Sequence, residues 1–168
     1  MRHSIFVGAI AAGLLGVAAP ATAQLNVICS VQADWCNALA AQFQRDSGVK
    51  VSIIQKGSGE TLAQLQAESA NPRTDVWFGG THDPHIVAAE RDLTQAHTSP
   101  RTAELHSWAQ ELSKVSKGKA HGIYAGILGI GFNIEIMAKR RIPQPSCWSD
   151  LLKPEYKGEV QIANPNSS

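Results

Sequence analysis

Apolar positions recur along this chain with two different spacings, and the alternation between them outlines an architecture. Residues 25–29 (Leu-Asn-Val-Ile-Cys) form a short apolar run that reads as a strand. From 33 to 46, Trp35, Leu39, Ala40 and Phe43 recur at the spacing of an amphipathic helix, with Asp34 as the expected N-cap and Gly48 as the residue that ends it. Residues 49–54 (Val-Lys-Val-Ser-Ile-Ile) are β-branched and strand-like. Gly57-Ser58-Gly59 then turns the chain into a second helix, with Leu62 and Leu65 on one face and an end near Asn71-Pro72. A third strand at 75–78 (Asp-Val-Trp-Phe) leads through Gly79-Gly80-Thr81 into a helix running from Asp83 or Pro84 to Arg91. Three successive strand–turn–helix units predict an α/β fold: a parallel-rich sheet with flanking helices and right-handed crossovers.

The pattern changes after that. Residues 99–114 are helical in pattern, and 116–119 read as a solvated turn. Residues 121–133 are apolar but broken by Gly122, Gly126, Gly129 and Gly131, which predicts one or two extended strands rather than a helix. A short helix at 134–140, a stiff connector at Pro143 and Pro145, a helical turn at 147–152 and a strand at 159–163 follow. Trp77, Phe78, Trp108 and Trp148 read as core, with Cys147 buried beside Trp148. Residues 164–168 have turn composition and the cap residues that precede a helix, so the chain reads as truncated there.

The N-terminus sets the compartment. Arg2 and His3 precede an uncharged run from 5 to 19, then Pro20 and the small-x-small tripeptide Ala21-Thr22-Ala23. Roughly 15 apolar residues fall short of the ~20 needed to span a bilayer. Residues 1–23 are therefore expected to be a cleaved secretory signal peptide, with a periplasmic mature chain beginning at Gln24. With 15 Lys+Arg against 14 Asp+Glu, no basic excess points to nucleic acid. An exported chain with Cys29 at the end of a strand and Cys36 one turn into the next helix raises a disulfide between them, with two buried thiols as the alternative.

In open α/β sheets, ligands lie beyond the C-terminal strand ends, where helix N-termini present free N–H groups. Four turns are expected at that rim: 30–34, 57–60, 79–83 and 164–168. They nominate Ser30, Gln32, Trp35, Ser58, Gly59, Glu60, Thr81, His82, Asp83, Asn164, Asn166, Ser167 and Ser168 as ligand-binding residues. Small hydroxyls and backbone donors at helix dipoles suit a carboxylate, phosphate or phosphonate.

Taken in order, 57–65 (Gly-Ser-Gly-Glu-Thr-Leu-Ala-Gln-Leu), 75–81 and 162–168 (Ile-Ala-Asn-Pro-Asn-Ser-Ser) resemble the ferric-iron and organophosphate/phosphonate branch of the extracellular solute-binding proteins. The resemblance implies a periplasmic binding protein-like fold of two lobes joined by crossing strands. The first lobe would occupy 24–120, and 121–168 would hold the crossover strands and the start of a second lobe. It also implies a small anionic solute and an inner-membrane ABC permease as partners. A monomer without cofactor or enzymatic activity is expected. Iron-binding members are similar in using a His after the first strand and a Glu after the third. Those positions are held here by Gln32 and Gly80, so a phosphorylated or phosphonate solute is favoured, with ferric iron as the alternative.

The segment His82-Asp83-Pro84-His85 admits another reading. His and Asp beside the crevice could serve a metal-dependent hydrolase, but no nucleophile motif or third ligand at a recognisable spacing accompanies them. The plainer assignment makes Asp83 the helix cap, Pro84 the first helical residue and His85 a surface side chain.

Overall fold

A computed structural model describes residues 23–164. The expected signal peptide, apart from Ala23, and the candidates Asn166, Ser167 and Ser168 lie outside the described residues. Three parallel strands, β1 (Gln24–Cys29), β2 (Lys50–Gln55) and β3 (Val76–Phe78), pair in the order β2-β1-β3. Leu25 lies opposite Val51, and Cys29 opposite both Gln55 and Phe78, so the three strand ends finish level.

Alternation along the strands decides which helix goes where. Leu25, Val27, Val51, Ile53, Val76 and Phe78 share one face, and α1 (Ala33–Ser47) packs there through Cys36, Leu39, Ala40 and Phe43. Trp77 points to the opposite face, where it stacks on His85 of α3 (His82–Glu90) at 3.7 Å between ring centroids. The intervening α2 (Ser58–Ala67) packs beside α3. With β1 central and the crossovers on opposite faces, the connections reverse direction beside β1, which makes its C-terminal end a topological switch point.

Chain ends of the helices follow the residues available. Gly48 adopts φ 72° and its N–H returns to the Gln44 carbonyl at 3.0 Å, as expected of a helix-ending glycine. Gln32, not Asp34, is the N-cap of α1; Asp34 falls in the first turn, where its carboxylate accepts from Trp35 N–H at 3.1 Å. Likewise Thr81 rather than Asp83 caps α3, and Pro84 sits in the third helical position. The first-turn N–H groups have no partner within a helix, so a proline is tolerated there.

The second half departs further from expectation. The 99–114 helix is interrupted: a 3-10 turn (Thr102–Glu104) ends where Leu105 becomes extended, and α4 (Ser107–Val115) begins after it. Residues 121–133 form no strand, nor do 159–163, because no neighbouring strand among the described residues supplies a ladder. Ile127 and Leu128 are almost wholly exposed as a result. Gly122 nonetheless fits tightly, since a Cβ there would lie 2.7 Å from Ala109 Cα of α4. The helix α5 (Ile134–Arg140) matches its expected range and is capped by Asn133, whose side chain accepts from Glu135 and Ile136 N–H at 3.0 Å each. Two 3-10 turns follow, Trp148–Leu152 and Pro154–Tyr156. Trp148 and Cys147 are exposed, not core, because these short turns have no layer packed over them, and Trp108 on α4 is exposed as well.

Candidate functional site

Three of the four expected turns converge at the C-terminal strand ends. Cys29 and Cys36 form a disulfide, with Cα atoms 6.3 Å apart, tying the first turn of α1 to the end of β1. The intervening residues are thereby held at the rim. Ser30 N–H donates to the Phe78 carbonyl at 2.8 Å and Lys56 N–H to the Cys29 carbonyl at 3.0 Å, so all three strand ends are stitched together.

A hydrogen-bond chain organises the side chains beneath. Trp77 Nε1–H donates to Ser30 Oγ at 2.9 Å, Ser30 Oγ lies 3.2 Å from Thr61 Oγ1, and Thr61 in turn donates to the Gly57 carbonyl at 2.8 Å. Ser58 and Thr61 are buried. Ser58 Oγ accepts from Thr81 N–H at 3.2 Å, which joins the start of α2 to the start of α3. Glu60 reaches back to Gly57 N–H at 3.2 Å, the reciprocal half of a capping interaction.

Close approach of these turns requires the glycines between them. Gly80 has φ 91°, and a Cβ there would stand 2.2 Å from Ser58 Oγ and 3.1 Å from Ser30 Cβ. Its backbone is also held from outside. Tyr124 Oη accepts from Gly80 N–H at 2.8 Å and donates to the Gly80 carbonyl at 3.1 Å, while its ring meets Trp35 edge-on at 5.8 Å.

These contacts enclose a solvent-open cleft of about 580 Å³. Ser30, Val31 and Gln32 line it from the first turn, Gln55, Lys56 and Gly57 from the second, with Glu60 of α2 and Tyr124 completing it. Ser30, Gln32 and Glu60 are thus where the sequence expected them, and Trp35 stands at the edge behind Tyr124. Ser58 and Gly59 sit in the first turn of α2, Ser58 as a buried support rather than a lining residue.

Other candidates are not brought into the cleft. Thr81 supplies its N–H to Ser58 and is otherwise exposed. His82 and Asp83 are exposed, with His82 Nε2 3.3 Å from the Asp83 carboxylate, and lie outside the lining. Asn164 lies in the exposed irregular segment that ends the described residues. His85 is not a surface residue. It is half-buried, stacked on Trp77, and its Nε2 lies 2.8 Å from the Gly79 carbonyl. Burial holds its pKa below the ordinary value, with the Gly79 contact acting in the opposite direction. His82, Asp83 and His85 therefore do not form one constellation, and no group of three or more metal-ligating side chains occurs among the described residues.

Sequence reasoning missed Lys56 and Tyr124. Lys56 follows the last residue of β2 without belonging to any motif. Tyr124 is the lone polar aromatic of a glycine-rich run, which is a visible signal, though its partner lies 44 residues away.

The family model for bacterial extracellular solute-binding proteins matches residues 85–168, half of the chain. The chain belongs to that family. The chain is 42% identical over 98% of its length to an uncharacterized protein of Haemophilus influenzae, covering 48% of it. It is 27% identical to a probable ABC transporter periplasmic-binding protein, y4fP, of Sinorhizobium fredii, over 95% of this chain and 43% of the relative. Among solved structures it is similar to the periplasmic binding protein AfuA from Actinobacillus pleuropneumoniae with exogenous fructose-6-phosphate bound. That match has 39% identity and a TM-score of 0.77, over 87% of this chain and 46% of that one. The chain thus spans about half the length of the relatives it matches.

Proposed function

We propose that the protein is the solute-binding component of an ABC import system, capturing a small phosphorylated or phosphonate solute and delivering it to a membrane permease. The observation that carries this reading is the cleft at the switch point. It is lined by hydroxyl and amide side chains, by Lys56 and by Glu60, whose carboxylate is engaged at the start of α2, with no clustered metal ligands among the described residues. A structural relative with 39% identity holds fructose-6-phosphate, a solute of that class. On this reading residues 24–120 are the first lobe, 121–168 carry the chain toward a second, and closure of the two lobes traps the solute. Export through the N-terminal signal peptide places the mature chain in the periplasm.

Isothermal titration and thermal unfolding of the full chain with fructose 6-phosphate, 2-aminoethylphosphonate, fructose and ferric citrate test this. A phosphorylated or phosphonate solute should bind and raise the unfolding temperature, by about 2.7 kcal/mol of added stability at a hundredfold excess over Kd, and be recovered intact. Preferential binding of ferric iron, or release of inorganic phosphate from the solute, would replace this reading with the iron-binding or the hydrolytic one.

A further inference from the structure

Resting on the anionic-solute reading, we propose that Lys56 is the cation of this lobe that pairs with the solute's anionic group, with the Gln32 amide beside it. The argument is one of elimination within the cleft. Ser30 accepts from Trp77 and bonds Thr61. The Gln55 amide donates to the Val31 carbonyl, Glu60 is engaged by Gly57 N–H, and the Tyr124 hydroxyl has its one donor committed to the Gly80 carbonyl. Those side chains build the wall. Only the Lys56 ammonium and the Gln32 amide line the cleft with no side-chain partner among the described residues.

Lys56 is also placed rather than free to wander. Its N–H is bonded to the Cys29 carbonyl, one residue past the last ladder pair of β1 and β2, so its Cα is fixed at the strand end. The residue is half-buried, and none of the ion pairs of the described residues involves it. An ammonium that lines the cleft with no ion-pair partner can take a counter-ion there, and an anion entering the cleft supplies one. Glu60, the acid that lines the same cleft, is held on the cap of α2. It sets a local negative boundary that favours a solute with its charge at one end.

The test is titration of the purified full chain with fructose 6-phosphate and with fructose, at low and high ionic strength. It uses wild type, Lys56→Gln, Lys56→Arg and, as a surface control at the end of α5, Lys139→Gln. Lys56→Gln should weaken fructose 6-phosphate binding by roughly 10- to 100-fold, the weight of a charge-assisted hydrogen bond. It should also reduce the salt dependence and leave fructose binding unchanged. Lys56→Arg should recover most of the affinity, and Lys139→Gln should match wild type. Binding of fructose 6-phosphate by Lys56→Gln within twofold of wild type would overturn the assignment while leaving the functional reading intact. Failure of the wild-type chain to bind any phosphorylated or phosphonate solute would overturn both.

Discussion

Tyr124 holds both backbone polar groups of Gly80 through one hydroxyl, which accepts from its N–H at 2.8 Å and donates to its carbonyl at 3.1 Å. The tyrosine comes from an irregular segment and the glycine from the turn between β3 and α3. One side chain therefore clamps a loop that neither helix nor sheet would hold. Because the same ring lies edge-on to Trp35, the clamp also closes one side of the cleft.

Tyr124→Phe should keep the ring contact with Trp35 and lose both bonds. A stability loss of about 1 kcal/mol is expected, the usual net worth of an intramolecular hydrogen bond, rising toward 3 if the Gly80 groups stay shielded from water. The urea midpoint of the variant measures this. Solute affinity should fall by more than the midpoint shift suggests, since the loop at the rim is released. An unchanged midpoint would mean that water replaces the hydroxyl without loss.

Gly80→Ala meets two separate obstacles. The backbone at φ 91° is strained for any L-residue, and the new methyl would overlap Ser58 Oγ at 2.2 Å. The backbone alone should cost roughly 1–3 kcal/mol, and the overlap adds to it. In a Ser58→Ala background the overlap with Oγ is gone, while the backbone term and the tight approaches to Ser30 Cβ at 3.1 Å and to the Cβ of residue 58 at 3.3 Å remain. The double variant should therefore be less destabilised than the sum of the single ones, a coupling that denaturation of all four proteins reads directly.

Much of this arrangement was legible in the chain. The three strand–turn–helix units were readable because each strand has its own apolar run and turn residues mark where the helices begin, and α5 keeps the range read for it. What failed shares one cause. Residues 121–133 and 159–163 have strand-like composition, yet a strand exists only where a partner takes its N–H and C=O groups, and composition says nothing of partners. Trp108 and Trp148 failed as well, since a large apolar side chain is core only where other elements cover it, and both remain exposed. At the site, small-residue turns disclosed Ser30 and Ser58, whereas Lys56 and Tyr124 acquire their roles only through contacts distant in sequence.

The Cys29–Cys36 bridge should matter to the site as well as to the fold. Closing so short a loop stabilises by roughly 2.5 kcal/mol in the chain-entropy model. The Cys29→Ser/Cys36→Ser variant should lose about that much in urea unfolding, and its solute affinity should drop as the Ser30 to Gln32 turn loosens. Reductant should reproduce both effects in wild type and neither in the variant. Equal midpoints with and without reductant would show the bridge to be absent in solution.

His85 gives the protein a pH dependence whose sign is fixed by its surroundings. Burial against Trp77 lowers its pKa in the folded state below the ordinary value of 6.5, so the unfolded chain takes up the proton more readily. The associated stability is fully present above the ordinary value and is lost as pH falls from there toward the lower folded value. Between pH 7 and pH 5 the unfolding midpoint of wild type should therefore decline. His85→Phe retains an aromatic ring for the stack on Trp77 but neither titrates nor reaches the Gly79 carbonyl. It should be less stable than wild type at pH 7.5 and show a shallower decline toward pH 5, so that the two midpoints converge on acidification. Parallel curves for the two proteins would place the titrating group elsewhere, and would mean that the imidazole remains able to protonate in place beside Gly79.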